Sequence, residues 1–308
     1  MPAPLFLSSG DLIADRRYDF ARDLEARGDL VAAADLMGQA AELAPGFTSA
    51  WFALGELNQQ LNQHGAAIRA YRKACETDPA DRHGARLRLM RLGAAELAEM
   101  PPDYVRTLFD QYAPRFEKAL VGDLNYRGPQ ILRKAVLTIF HGTGRPAFFQ
   151  RAADLGCGTG RAALEFAGDG GGFIGVDLSP KAIEQSRPTG LYARLEVADM
   201  VQGLRAEPDN SLDLVLAADA VIYLPDLVPL VLEAARVLRP GGVLAFTTET
   251  HGGDGVILGA SLRYCHGAAH VRSAITVAGL PLCAIPPVAT RKEKGEPVPS
   301  LVVTAVKR

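Results

Sequence analysis

At 308 residues the chain is long for one compact domain and comfortable for two, and 48% hydrophobic residues can supply a core to each. Charged residues make up 22%, which argues against wholesale disorder. With 33 basic against 35 acidic residues and a formal net charge of −2, the basic excess of a duplex-binding protein is missing, so no nucleic-acid partner is expected.

Cys75, Cys157, Cys265 and Cys283 are scattered and form no CxxC pair. Zinc-ribbon and thioredoxin-like readings therefore fail, and no metal site is expected. Scattered thiols suit a reducing compartment. The N-terminal stretch lacks the basic start and apolar run of a secretory signal, and no uncharged apolar run approaches the ~20 residues that span a bilayer. A cytoplasmic protein with no membrane partner is the expectation.

In chain order, residues 1–100 carry a repeat. Pro45 and Pro79 lie 34 residues apart, and aligning on them pairs Ala40 with Ala74, Met37 with Tyr71, Ala33 with Ala67 and Phe20 with Leu54. Small residues (Ala33, Gly55, Ala67) let two helices approach, and large ones (Phe20, Met37, Leu54, Tyr71) fill the space between neighbouring pairs. Each proline follows a second helix, which it cannot continue. The second unit, with Trp51, Leu54, Gly55, Asn58, Ala67, Tyr71, Ala74 and Pro79, resembles a tetratricopeptide (TPR) repeat; the first is degenerate, with Arg17 and Ala21 at the Trp51 and Gly55 places. Residues 84–100 keep helical periodicity and read as a capping helix. The unit is expected to bind a peptide or protein partner, to pack as an appendage or to form a homodimer.

Residues 101–150 read as a helical linker. Pro101 and Pro102 stop the preceding helix, and residues 126–140 read as one helix broken at its start by Gly128 and Pro129. Phe109, Asp110, Tyr112, Ala113 and Phe116 resemble the segment that folds as a lid over cofactor and substrate in many small-molecule methyltransferases. An ordinary amphipathic helix fits the same spacing.

From about Arg151, short apolar runs alternate with helical stretches. Strands are expected at 152–155, 173–177, 193–197, 212–217, 243–248, 282–287 and 301–306, with helices starting near Arg161, Pro180, Leu227 and His270. This alternation implies an α/β fold with a mainly parallel sheet, whose ligands lie outside the C-terminal strand ends. Gly156, Gly158 and Gly160 alternate directly after the first strand, where glycine permits a tight turn and close backbone approach to a ligand. Asp177 ends the second strand, 21 residues after Gly156, where a carboxylate can take both hydroxyls of a ribose.

Four stretches in order complete a resemblance: the run from Ala153 to Gly160, the run from Gly175 to Pro180, Glu196 to Met200, and the pair formed by Asn210 to Val215 with Leu238 to Leu244. Over roughly a third of the chain they resemble class I S-adenosylmethionine-dependent methyltransferases, which implies a Rossmann-like, seven-stranded sheet over residues 151–308. With Arg263 to His266 and Arg291 to Val298 in the tail and the repeats in front, the whole chain resembles bacterial TPR-containing methyltransferases. The resemblance implies S-adenosyl-L-methionine as cofactor, with Asp154 meeting the amino group of its methionyl moiety, Asp177 on the ribose and Asp199 on the adenine amino group, with Met200 against the ring. Gly156, Cys157, Gly158, Gly160, Leu178 and Ala218 complete the expected cofactor set. The acceptor would be a small molecule or a protein.

A proton-bearing acceptor needs a base, and Asp219, Tyr223, His251, His266 and His270 are candidates. His266 is the preferred catalytic group because histidine titrates near neutrality, and Tyr223 is the second, at the pocket rim. An alternative is a TPR adaptor whose cofactor-binding domain is regulatory rather than catalytic. A nicotinamide oxidoreductase is disfavoured by Asp199 and by the Leu238–Arg–Pro–Gly–Gly242 turn.

Overall fold

A computed structural model describes residues 5–112, 125–143 and 146–308. The chain separates into two compact units, Met1–Tyr104 and Val105–Arg308. Among the described residues no helix is long and apolar enough to cross a membrane.

The first unit is all-helical: α1 Leu12–Ala26, α2 Leu30–Leu43, α3 Thr48–Gln60, α4 His64–Thr77 and α5 Ala85–Arg91. Asp11 caps α1 by accepting the Ile13 and Ala14 amides, and Asp29 caps α2 through the Ala32 amide, which satisfies donors that a helix start leaves orphaned. Successive helices pack on one another, burying Ala33, Met37, Ala67 and Tyr71 completely. Gly55 is required by this packing: a Cβ there would stand 2.5 Å from the Tyr71 ring. Two expectations are corrected. Phe20 does not fill a space between pairs but stays 63% exposed, because α1 is the first described helix and no described element of the unit covers this side of it. The capping helix is also shorter than 84–100, since Gly93 turns the chain through a positive φ of 68° just after α5.

The second unit starts with α6 (Pro102–Tyr112, shared across the unit boundary) and α7 Gly128–Thr143. Pro129 lies in the first turn of α7, where its missing N–H has no intrahelical partner to lose, so the helix begins at this pair instead of being broken by it. Of the expected lid residues, Ala113 and Phe116 lie outside the described residues.

The sheet strands are β1 Ala152–Leu155, β2 Phe173–Asp177, β3 Tyr192–Val197, β4 Leu212–Ala217, β5 Leu238–Glu249, β6 Val256–Leu258, β7 Tyr264–His266, β8 Leu282–Ala284, β9 Pro287–Glu293 and β10 Glu296–Val306. Their main path runs β3-β2-β1-β4-β5-β10-β8, a Rossmann-like seven-strand order, with β6, β7 and β9 attached off it. The first five strands pair in parallel, and β10 inserts antiparallel beside β5. Helices α8 Arg161–Glu165, α9 Pro180–Ser186, α10 Met200–Arg205, α11 Val228–Val237 and α12 Ala268–Val277 connect them. Strand alternation divides the apolar side chains between two cores: Leu214 and Leu216 of β4 enter one, Val215 and Ala217 the other.

Strands β6, β7 and β9 and helix α10 were not anticipated. The expected strand 282–287 ends at Ala284, and Pro287 opens β9, because Pro286 and Pro287 have no N–H to continue a ladder. The expected helix-to-strand turn at Leu238 is absorbed into β5, whose register against β4 shifts between Leu212 and Leu214. Asp213 is explained locally. Its carboxylate accepts the Gln150 and Arg151 amides at 2.8 and 3.1 Å and pairs with Arg239, so it anchors the chain entering β1.

Candidate active site

The strand order reverses between β1 and β4, so the loops leaving these two strands flank a crevice at their C-terminal ends. In the first loop Gly156, Gly158 and Gly160 all take positive φ, at 66°, 54° and 93°. A Cβ on Gly156 would come within 2.5 Å of the Ala220 side chain, so the loops after β1 and β4 approach at a distance only glycine allows. The amides of Gly156 and Cys157 both donate to the Val176 carbonyl, at 2.8 and 3.0 Å.

Asp177 locks the same loop. Its Oδ2 accepts the Gly158 amide at 2.9 Å and its Oδ1 accepts the Ser179 amide at 2.8 Å. The side chain is almost fully buried, and that burial raises its pKa, opposed by the two amides. Each oxygen keeps a second lone pair for a hydroxyl donor. This loop-holding role was not legible in the sequence, which suggested only the ribose contact.

Asp154 is completely buried in β1. Its Oδ2 accepts the Tyr192 hydroxyl at 2.7 Å, while its Oδ1 has no hydrogen-bond partner among the described residues. Burial pushes its carboxyl up to about 6, against the stabilising pull of the Tyr192 hydroxyl and a weaker one from the Ala163 amide. A buried carboxylate oxygen left unsatisfied is costly, and a cationic group would relieve it. Cys157 is buried beside this pair, and burial raises its thiol pKa, so it stays a neutral thiol.

Asp199 caps α10: its Oδ1 accepts the Val201 and Gln202 amides, at 2.8 and 3.3 Å. Its Oδ2 has no bond to those amides, and Met200 follows it, partly buried. The carbonyl of Leu178 accepts from Arg106 Nε at 3.3 Å, and Asp110 accepts the Ser179 hydroxyl. Phe109 meets the Tyr223 ring edge-on at 5.4 Å between centroids. Helix α6 thus reaches from the end of β2 to the 3-10 turn Val221–Tyr223 that follows β4. Ala218, directly after β4, is half-buried against the core that holds Leu214 and Leu216.

The acceptor side corrects one expectation. His266, the preferred base, is fully buried, with Nε2 2.9 Å from the Leu224 carbonyl and Nδ1 2.6 Å from the Thr248 hydroxyl. A carbonyl only accepts, so Nε2 carries the proton and Nδ1 takes the Thr248 hydrogen. Both nitrogens are occupied, and burial pushes the ring's pKa down to about 4. His266 ties β7 to β5 and to the turn after β4; it is placed to hold structure, not to move a substrate proton. Because its folded pKa lies below the unfolded value near 6.5, its contribution is complete above pH 6.5 and is lost as pH falls through 4. Replacing His266 by Gln should therefore flatten the urea stability profile by up to about 3 kcal/mol over that window and leave the pH dependence of activity above pH 7 unchanged. An activity midpoint near neutrality that disappears in this variant would restore the base role.

The other candidates separate as well. His251 has both nitrogens engaged by its own loop, at Gly255 and Gly253. His270 stacks on His266 at 5.6 Å, with its Nε2 buried and without a hydrogen-bond partner among the described residues. Asp219 adopts a positive φ of 52° and accepts from Thr247, Thr290 and Arg291. Arg291 also pairs with Glu249 and Glu293, and both acids pair again with Arg263. Two tail motifs, 28 residues apart, thus meet in one ion network beside β5. Among the described residues no cluster of His, Cys, Asp and Glu could hold a metal.

Residues 153–246 match the family model described as a methyltransferase domain. The chain is 31% identical over 162 residues to methyltransferase-like protein 27 of Homo sapiens, covering 49% of this chain and 60% of that protein. It is 32% identical over 101 residues to a ubiquinone biosynthesis O-methyltransferase of Xanthomonas oryzae, covering 32% of this chain and 42% of that one. The chain thus spans about half the length of these curated relatives. Two solved structures share the fold: the [4+2]-cyclase SpnF, with a TM-score of 0.54, 19% identity and coverage of 69% and 99%, and the Burkholderia thailandensis 1,6-didemethyltoxoflavin-N1-methyltransferase, with a TM-score of 0.52, 20% identity and coverage of 69% and 92%. The chain carries a class I S-adenosylmethionine-dependent methyltransferase domain preceded by an all-helical region. Its site residues fit that cofactor: the orphaned Asp154 oxygen suits an ammonium group, and the Gly156–Ala220 approach brings the loops after β1 and β4 together beside it.

Proposed function

We propose that the protein transfers a methyl group from S-adenosylmethionine to a small-molecule oxygen or nitrogen acceptor. The observation that carries the reading is the buried, unpartnered Asp154 oxygen next to a glycine loop held by Asp177. Asp154 would take the ligand's amino group, Asp177 the ribose, and Asp199 with Met200 the adenine. Gly156, Cys157, Gly158, Gly160, Leu178 and Ala218 would line the cofactor. The printed names of the curated relatives favour a small molecule, since ubiquinone biosynthesis and 27-O-demethylrifamycin SV each supply one. A protein side chain is the other acceptor class.

The cofactor supplies an activated methyl, and the chain supplies orientation. An acceptor atom that carries a proton would release it to solvent on methylation. Tyr223, whose ring meets Phe109, is the acceptor-side group we assign to orient that atom. Arg106, Phe109 and Asp110 of α6 support a lid over the crevice, which would exclude water during transfer.

Residues 1–100 form a TPR-like unit, 101–150 a linker with the lid, and 151–308 the catalytic domain. The period of 34 and the Gly55–Tyr71 contact support the first assignment. Its partner would be a peptide, a protein or a second copy of the chain. Four free cysteines support a cytoplasmic location.

Calorimetry with S-adenosylhomocysteine, followed by labelled-methyl transfer into extract fractions, tests the reading. Micromolar binding with label in a low-molecular-mass product is expected. No binding, or binding with no transfer into any fraction, would overturn it in favour of a regulatory domain.

A further inference from the structure

The Tyr192 ring occupies a slot cut by two glycines. A Cβ on Gly175 of β2 would stand 2.8 Å from the ring, and one on Gly160, at the start of α8, would stand 3.3 Å from it. Phe173 closes a third side with an edge contact at 6.4 Å. A ring held on three sides has lost its rotamer freedom before any ligand arrives, so its hydroxyl is aimed in advance. That hydroxyl donates to Oδ2 of Asp154 and leaves Oδ1, in a fully buried carboxyl, as the atom without a partner.

We propose that Tyr192 is a positioning residue for the cofactor: it fixes and ionises the Asp154 carboxylate so that Oδ1 is the acceptor for the ligand's ammonium group. This rests on the cofactor reading above and adds to it a residue outside every motif of the family resemblance. A carboxyl in a dry site favours its neutral form, and a neutral carboxyl attracts a cation poorly. The hydrogen bond from Tyr192 favours the charged form. The other titratable groups that face Asp154 do not supply this help. Asp177, at the end of β2, opposes ionisation by like charge. Cys157 in the loop and Tyr126 before α7 are both held neutral by burial. The carboxyl, pushed up to about 6 in the free protein, therefore owes its ionisation first to the Tyr192 hydroxyl, with a weaker pull from the Ala163 amide.

The test is calorimetry of the full chain with S-adenosylhomocysteine between pH 5.5 and 8.5, for the wild type, Tyr192→Phe, Asp154→Asn and the double variant. The ring, and hence the slot, survives in Tyr192→Phe, and a thermal melt confirms folding. Wild-type affinity is expected to be level above about pH 6.5 and to fall toward tenfold per pH unit below pH 6. In Tyr192→Phe the fall should begin one to two pH units higher, roughly the pKa worth of one hydrogen bond to a charged group, and the two proteins should converge at pH 8.5. In the Asp154→Asn background the Tyr192 substitution should have no pH-dependent effect. 5′-Methylthioadenosine, which lacks the amino-acid moiety, should show no such step. A uniform loss at every pH in Tyr192→Phe would make Tyr192 a packing residue and overturn the proposal, as would a matching step with methylthioadenosine. Absence of wild-type binding at pH 8 would instead overturn the cofactor reading itself.

Discussion

Replacing Asp177 by Ala is expected to lower affinity for S-adenosylhomocysteine by at least about a hundredfold. The carboxylate has two duties. It accepts the Gly158 and Ser179 amides, and so sets the distance between the glycine loop and the end of β2. Its remaining lone pairs are the proposed grip on the ribose. Hydrogen bonds to a charged acceptor contribute about 1.5–3 kcal/mol each, so losing two from the ligand already accounts for the expected factor. Loosening of the loop adds to it. Asp177→Asn separates the duties: its amide oxygen can keep one backbone donor while its NH2 group faces the other. Its stability in urea should lie between those of the wild type and Asp177→Ala, with binding still reduced more than tenfold. Binding within fivefold of wild type in Asp177→Ala would remove Asp177 from the site.

The second large effect concerns Arg291→Met, expected to destabilise the protein by about 3–5 kcal/mol in urea unfolding. Arg291 is only 6% exposed and faces three carboxylates: Asp219 at 2.7 Å, Glu249, and Glu293 at 3.3 Å. Methionine roughly fills the volume but leaves the buried Glu249 and the largely covered Asp219 with reduced compensation; Arg263 still pairs with Glu249, while Asp219 keeps the hydroxyls of Thr247 and Thr290. The cost comes from the stranded charge, so neutralising it should return most of the loss. Arg291→Met combined with Asp219→Asn and Glu249→Gln is expected to recover more than half. The exposed Lys73–Glu76 pair provides the contrast, since breaking it should cost under about 1 kcal/mol. If Arg291→Met costs no more than that, the network is loosely solvated and does not brace Asp219.

These two residues were legible to different degrees. Asp177 stood out because an acid at the end of a second strand, 21 residues after a glycine turn, has few purposes. Arg291 was visible only as part of a tail pattern. Its chemistry depends on Asp219, Glu249 and Glu293, which come from three separate segments. Tyr192 was passed over because it begins an edge strand, and the glycines that hold its ring belong to other elements. Asp199 carried a readable signal that was missed: an acid directly before Met200 and Val201 is a helix N-cap pattern, and α10 starts there.

The sequence by itself determined the elements whose cause is local. Strands β1, β2 and β4 follow from short, mainly apolar runs, and their bounds were expected as found. The glycine loop follows from spacing, and the paired helices of the first unit from a 34-residue repeat. Tertiary structure decided what depends on partners distant in the chain. It made His266 a buried, neutral link between Thr248 and Leu224, although histidine as a residue type suggests a base. It placed β6, β7 and β9, runs too short or too polar for a local pattern, by pairing them with strands already formed. It also left one oxygen of Asp154 buried without a partner, because desolvation and hydrogen-bond satisfaction belong to the packed fold and not to the order of residues.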